Sequence, residues 1–394
     1  MDRVRHSRRW LTALTAGKTA RWRAAGLASA IAGLAASGAV VIAGSAVPAS
    51  AAPAEPTVSV PLTAVTSVSC VSAARCWAGG NGAKGSAIIA TANGGATWHV
   101  EYATTRLGDI ADIDCPSAAH CLAIGDSDDG ASTTLLETTD GGKVWSTHAA
   151  PKSLALPEAL SCANGSDCWA VGYAGHGFDA VVARTTDGGG TWTREPVPAL
   201  ETAMSSPFGI SCASSTHCLV TGEGTLTTTN GGKAWAKHAA AAGTVPLGPA
   251  TCPSTRDCYA VFDVTSAVPS FEQGSLYTSA NGGVTWKDVL SSPRHVTGFG
   301  GISCPSTSAC VAVGDGYAPK GTGTGTWYGV SEFTSTSGRH WTQSTVAKVR
   351  ALYADSCAAR TSDCIAVGQS SAGPVILKSA NDGATWTSEP LPRT

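Results

Sequence analysis

The acidic residues between apolar runs are the first candidates for chemistry, because a glycosidase needs only two carboxyl groups placed across a sugar ring. The spacing of these acids does not identify any two of them as a catalytic pair, so the alternative for each is an ordinary acid on a solvated loop. The segment 126–130 has the acid density of a calcium loop, but no bidentate Glu follows it and its flanks are predicted strands. The sequence therefore predicts no metal site and no cofactor. The candidate acids are Asp126, Asp128, Asp129, Asp179, Glu223, Asp263, Glu272, Asp315 and Asp355.

Two longer stretches, 263–273 and 315–328, combine acids with aromatic side chains. Aromatic residues on long loops of a rigid scaffold are typical of a binding patch for sugar or peptide. The alternative for Trp327 and Tyr328 is that they begin a strand and are packed. The two stretches are predicted to form the walls of a one-sided cleft. The predicted ligand-binding residues are Phe271, Glu272, Asp315, Tyr317, Trp327 and Tyr328.

These side chains must be positioned by a unit that the chain repeats seven times. Its clearest copy runs from Cys162 to Trp192 and ends in the octapeptide T-x-D-G-G-x-T-W. Asp-Gly or Asn-Gly between apolar runs predicts a hairpin with a type I′ turn, in which both central residues have positive φ. The acidic side chain can accept hydrogen bonds from backbone N–H groups of its own turn. The Trp then begins the returning strand.

The octapeptide resembles the Asp-box, or BNR repeat, of sialidases and related β-propellers, whose pattern is S/T-x-D-x-G-x-x-W. Asn replaces Asp in four of the six close copies, and Thr334–Trp341 has Thr336 at the acidic position. The chain also resembles the photosystem II assembly and stability factors, which share a seven-bladed Asp-box layout. Both resemblances imply a β-propeller. The close copies are Thr91–Trp98, Thr138–Trp145, Thr185–Trp192, Thr228–Trp235, Ser279–Trp286 and Ser379–Trp386.

The sialidase resemblance would imply an Arg triad, an F/Y-R-I-P motif and a Tyr–Glu nucleophile pair. The sequence has no F/Y-R-I-P motif, its Arg residues are scattered, and its Tyr residues have no evident partner Glu. A shared fold does not transfer activity. We therefore expect a non-catalytic binding or scaffold module for an extracellular or cell-wall glycan or protein. A glycoside hydrolase of sialidase-like or other Asp-box type is the alternative.

The fourteen cysteines fall into seven local pairs, one per repeat, with five residues between the members of six pairs and six in the last. Spacing of this kind in an exported chain predicts structural disulfides, and the C-x2-C spacing of zinc sites is absent. Closing so short a loop stabilises the fold by about 2–2.5 kcal/mol in the chain-entropy estimate. The pairs are Cys70/Cys76, Cys115/Cys121, Cys162/Cys168, Cys212/Cys218, Cys252/Cys258, Cys304/Cys310 and Cys357/Cys364.

The first cysteines of successive repeats lie 40 to 53 residues apart, which is the length of a four-stranded propeller blade. The sequence therefore predicts an all-β, seven-bladed β-propeller of four-stranded antiparallel blades over residues 63–394. Six blades would require discarding the repeat at 304–341, which keeps its Cys pair and its Trp; eight is the other alternative. Strand alternation puts the Cys loops and the Asp-boxes on one face, the scaffold face. The variable connections lie on the other, the loop face.

Residues 1–51 are interpreted as a signal peptide, because a basic segment precedes an uncharged Ala/Gly-rich stretch and an A-x-A cleavage site at Ala49–Ala51. Secretion is expected; the alternative is a membrane anchor formed by residues 24–47. Residues 52–62 are interpreted as a short linker. Beyond residue 51 the chain carries a net charge of −8, which disfavours a nucleic-acid partner. A monomer is expected.

Overall fold

The computed structural model describes residues 59–127, 132–174, 180–198, 207–222, 224–239, 248–262, 274–291, 296–319, 325–334 and 340–392. They form 28 strands in seven four-stranded antiparallel sheets, and residues 56–394 make one compact unit. The predicted seven-bladed propeller is confirmed. The described residues contain no helix long and apolar enough to cross a membrane, and the predicted signal segment lies outside them.

Each blade takes four consecutive strands from the chain. Blade 1 has β1 (Leu62–Cys70), β2 (Cys76–Gly82), β3 (Ser86–Thr91) and β4 (His99–Thr104); blade 2 has β5 (Asp109–Asp114), β6 (Cys121–Asp126), β7 (Thr133–Thr138) and β8 (Ser146–Ala149). Blade 3 has β9 (Leu156–Cys162), β10 (Cys168–Tyr173), β11 (Ala180–Thr185) and β12 (Thr193–Arg194); blade 4 has β13 (Pro207–Cys212), β14 (Cys218–Gly222), β15 (Gly224–Thr228) and β16 (Ala236–Ala239).

The remaining blades follow the same order. Blade 5 has β17 (Ala250–Thr251), β18 (Cys258–Phe262), β19 (Ser275–Ser279) and β20 (Lys287–Ser291); blade 6 has β21 (Val296–Ser303), β22 (Cys310–Pro319), β23 (Gly325–Thr334) and β24 (Thr342–Val346). Blade 7 has β25 (Val349–Cys357), β26 (Cys364–Ser370), β27 (Gly373–Ser379) and β28 (Thr387–Glu389). The first strands of neighbouring blades contact one another around the whole ring, so they are the innermost strands.

All seven predicted disulfides are present, and each joins the end of a first strand to the start of the second. The paired cysteines have Cα atoms 4.0–4.1 Å apart. Cys162 and Cys168 are direct cross-strand partners, as are Cys70 and Cys76. The bond therefore fixes the register of each inner hairpin at its scaffold-face end.

The Asp-boxes form turns in which two consecutive residues have positive φ, as a type I′ turn requires, but this pair lies one position after the predicted Asp-Gly or Asn-Gly pair. In the box Thr138–Trp145 the left-handed residues are Gly141 (φ 75°) and Gly142 (φ 92°), which follow the acidic residue. Asp140 instead accepts hydrogen bonds through Oδ1 from the backbone N of Val144 (3.0 Å) and from Thr138 Oγ1 (2.9 Å). Gly141 N donates to the carbonyl of Ala119 in the Cys loop, which places both loops on one face as predicted.

At six of the seven blade junctions, the side chain before the first cysteine of one blade accepts a hydrogen bond from the first cysteine of the next blade, which explains the Ser-Cys dipeptide that five of the repeats share. Ser69 Oγ of blade 1 accepts from the backbone N of Cys115 in blade 2 at 3.0 Å, and Asp114 Oδ2 accepts from Cys162 N at 2.7 Å. These latches satisfy N–H groups that an inner edge strand would otherwise leave unpaired. The same bond joins Cys212 to Ser161, Cys252 to Ser211, Cys357 to Ser303 and Cys70 to Ser356.

Six clusters of the hydrophobic core lie between adjacent blades. Trp77 and Ile88 of blade 1, for example, pack against Ile110 and Leu136 of blade 2, with the Asp-box residue Trp145 beside them. Each sheet therefore buries both faces, and rigid neighbours support the loops at its ends.

Candidate functional site

The second hairpin of blade 6 extends beyond its counterparts on the loop face. β22 and β23 have 10 residues each, whereas the second and third strands of the other blades have 5 to 7. Cys310 pairs with Thr334 at the scaffold end as Cys168 pairs with Thr185 in blade 3. The extra residues therefore all lie at the loop end. Three residues lengthen a strand by about 10 Å.

This hairpin corrects the interpretation of residues 315–328 as a long loop, because the stretch is mostly paired strand. Tyr317 lies directly opposite Trp327, with ring centroids 5.0 Å apart and ring planes tilted by 54°. Trp327 does begin the third strand, yet 44 % of it is exposed, the largest exposed fraction among the aromatic side chains described. Tyr317 beside it is half-buried, and an exposed indole supported by a second ring on a rigid hairpin is a suitable anchor for a ligand.

The four described residues of the predicted patch do not share one face of the hairpin. Tyr328 packs against the cluster between blades 5 and 6, and partial burial raises the pKa of its hydroxyl. Strand alternation puts Tyr317 and Trp327 on the opposite face, which looks towards blade 7. Gly329 lies on that same face, and a Cβ atom added there would contact Val346 and the first residue of blade 7, Val349.

Asp315 is positioned two residues before Tyr317, so it lies on the same face of β22. Its carboxylate accepts a hydrogen bond from Thr297 Oγ1 through Oδ2 at 2.6 Å. The hydroxyl of Thr297 also lies 3.0 Å from the backbone oxygen of Asp315. The aspartate is thereby held against the innermost strand of its blade. Phe271 and Glu272, the other predicted wall, lie outside the described residues.

The structure also brings together an acid pair that sequence reasoning missed. Asp109 and Asp126 are direct cross-strand partners at the loop-face end of blade 2. Burial, together with repulsion from the Asp126 carboxylate, raises the pKa of Asp109 to about 7. Asp126 was a candidate acid in the sequence, whereas Asp109 was not. The pair is visible only once the register of the two strands is known.

Asp355 was interpreted as a loop-face acid, and that placement is wrong. It lies in β25 two residues before Cys357, near the scaffold end, and it is 9 % exposed. Both of its carboxylate oxygens are buried without a hydrogen-bond partner, and burial raises its pKa well above the usual range. It faces blade 6, where a side chain at Gly301 would meet it.

No three His, Cys, Asp or Glu side chains within the described ranges converge to hold a metal ion. The remaining candidate acids, which are Asp128, Asp129, Asp179, Glu223 and Asp263, lie outside the described residues. In the described part of the loop face, two features thus differ in their chemistry: the aromatic pair of blade 6 and the acid pair of blade 2.

Residues 98–251, from the last strand of blade 1 into blade 5, match the family model described as photosynthesis system II assembly factor YCF48. No curated protein matches the sequence. A solved structure of YCF48 bound to D1 peptide is 18 % identical, with a TM-score of 0.57, over 82 % of this chain and 96 % of that one. YCF48 from Cyanidioschyzon merolae is 14 % identical, with a TM-score of 0.57, over 81 % and 96 %.

A third solved structure, the GH74 xyloglucanase from Xanthomonas campestris, is 11 % identical with a TM-score of 0.44, over 83 % of this chain and 66 % of that one. The chain is a seven-bladed β-propeller of Asp-box repeats, similar to the YCF48 proteins in fold. The predicted resemblance to the photosystem II assembly factor type of propeller is confirmed.

Proposed function

We propose that the chain is an exported, non-catalytic binding module that takes up a peptide segment of another protein on its loop face. The observation that carries this proposal is the exposed Trp327 packed against the half-buried Tyr317 on the extended hairpin of blade 6. Export by residues 1–51 is part of the proposal, and seven disulfides are consistent with an oxidising compartment.

The geometry of the pair favours a peptide over a glycan. Sugars stack on a flat aromatic face, whereas two rings tilted by 54° form a corner into which one apolar side chain fits. Asp315 lies on the same face and adds an acceptor that can orient a backbone or side-chain N–H group. The similar YCF48 structure contains a bound peptide, which supports the same class of ligand here.

A displayed library of random 12-residue peptides and a panel of soluble cell-wall oligosaccharides test the proposal side by side. Exposed aromatic anchors contribute more than about 1 kcal/mol each, so Tyr317→Ala and Trp327→Ala should each weaken a selected peptide about fivefold or more. Val144→Ala, at an exposed scaffold-face position, is the matched control. Selected peptides that bind both aromatic variants normally, or selective uptake of an oligosaccharide, would contradict the proposal.

A further inference from the structure

Four oxygen-bearing side chains meet at the loop-face end of the junction between blades 1 and 2. Asp109, Asp126 and Thr133 are successive cross-strand partners in β5, β6 and β7, so their side chains stand in a row on one face. Asn81 of blade 1 reaches this row and donates from Nδ2 to Asp109 Oδ1 at 3.0 Å. The cluster therefore spans two blades.

Two of the oxygens in this cluster lack a hydrogen-bond partner although they are buried. They are Thr133 Oγ1, on a side chain that is only 9 % exposed, and Asn81 Oδ1. Buried polar groups in native proteins are nearly always satisfied, so two orphaned acceptors beside a carboxyl pair indicate a missing partner. Every group in the set carries an oxygen that can accept a hydrogen bond or coordinate a cation.

We propose that Asn81, Asp109, Asp126 and Thr133 form a binding site for a hard divalent cation of the calcium class. Two carboxylates, one hydroxyl and one amide oxygen are donors that calcium accepts, and waters complete its flexible coordination. The Asn81 amide, which donates to Asp109 without the cation, turns over to present its oxygen. Magnesium demands a near-ideal octahedron and fits this mixed set less well. The cation relieves the repulsion between the two neighbouring carboxylates.

Calorimetry and thermal unfolding of the full chain, stripped with EDTA and titrated with CaCl2 at pH 7.5, test this site. We expect a dissociation constant on the order of 0.1–1 mM, as in extracellular calcium modules. The melting temperature should rise by a few degrees at about 10 mM CaCl2. MgCl2 should act more weakly, and NaCl of equal ionic strength should not reproduce the rise.

Two variants separate calcium binding from a structural role of the same residues. Asp126→Asn should weaken calcium at least tenfold, and its melting temperature in EDTA is the baseline from which its own calcium response is measured. Thr133→Val removes a neutral ligand without changing the charge and should also weaken calcium. Asp382→Asn is the matched control, since it removes a carboxylate from the Asp-box of blade 7 at a left-handed position that Asn tolerates.

Each contrary result overturns the proposal. If calcium gives neither heat nor a change in melting temperature, the cluster is not a cation site. If the response survives in both Asp126→Asn and Thr133→Val, calcium binds elsewhere on the protein. If Asp382→Asn loses the response as fully as Asp126→Asn, the effect reflects net charge alone.

Discussion

Replacing Ser69 by Ala removes the latch between blades 1 and 2 while leaving both strands in place. Its Oγ accepts the backbone N–H of Cys115 at 3.0 Å, and the two residues are 8 % and 6 % exposed. The same hydroxyl lies 3.5 Å from Asp114 Oδ1. The variant therefore leaves a buried amide without an acceptor and adds no bulk that could disturb the strands.

The cost follows from the burial of that amide. A buried donor without a partner destabilises a protein by about 1–3 kcal/mol, whereas a truncated exposed Ser changes stability by less than about 0.5 kcal/mol. For a domain of this size the loss lowers the melting temperature by about 1–4 °C. Ser69→Thr keeps an acceptor, and blade 5 has Thr251 at the corresponding position, so Thr should restore most of the stability.

Urea unfolding measures the change in free energy, and amide hydrogen exchange at Cys115 reports the latch itself. Ser146→Ala, at an exposed position on the outermost strand of blade 2, is the control. We expect Ser69→Ala to lose stability and exchange protection at Cys115, and the control to lose neither. Equal stability of the two variants, with Cys115 still protected, would show that the latch does not hold the blades together.

Three further predictions concern the turns, pH and the disulfides. Gly142→Ala should lower the free energy of unfolding in urea by more than about 1–2 kcal/mol, because residue 142 has φ 92° and the added Cβ would overlap a glutamate carboxylate of blade 1. Gly190→Ala is the control and should be nearly neutral. Burial raises the pKa of Asp112 to about 7, so its contribution to stability is complete below about pH 4 and is lost as the pH rises to about 7. In melting curves from pH 4 to 8, Asp112→Asn should flatten that decline; an unchanged profile would show that the group titrates normally. Replacing Cys252 and Cys258 together by Ser should cost about 2–2.5 kcal/mol, and no loss in denaturant unfolding would contradict the chain-entropy estimate.

Local patterns made the fold predictable from the sequence. Each cysteine pair and each Asp-box is complete within a few residues, so its partners can be read without knowing the tertiary structure. The latch is different, because Ser69 bonds to a residue 46 positions further along the chain. The repeated Ser-Cys dipeptide was visible, but its reason requires the neighbouring blade.

The candidate sites depended on strand register, which the sequence did not determine. Extrapolating from the inner hairpin of blade 2 would pair Asp126 with Ile110, but an irregularity between Ile110 and Asp112 shifts the partner to Asp109. Similarly, the exposure of Trp327 and the packing of Tyr328 follow from which face each takes in a lengthened strand. A change of one residue in register exchanges the two faces.

The bond between Cys70 N and Ser356 Oγ joins the last blade to the first with the same chemistry as the other latches. The contacts between blades therefore do not distinguish a first blade from a last one, and the fold should not depend on which two blades carry the chain ends. A circular permutant that opens the chain between blades 3 and 4 and joins residue 392 to residue 59 by a flexible linker should fold to the same ring. A fragment lacking one blade should not, because it would leave one latch donor and one acceptor facing each other across a gap.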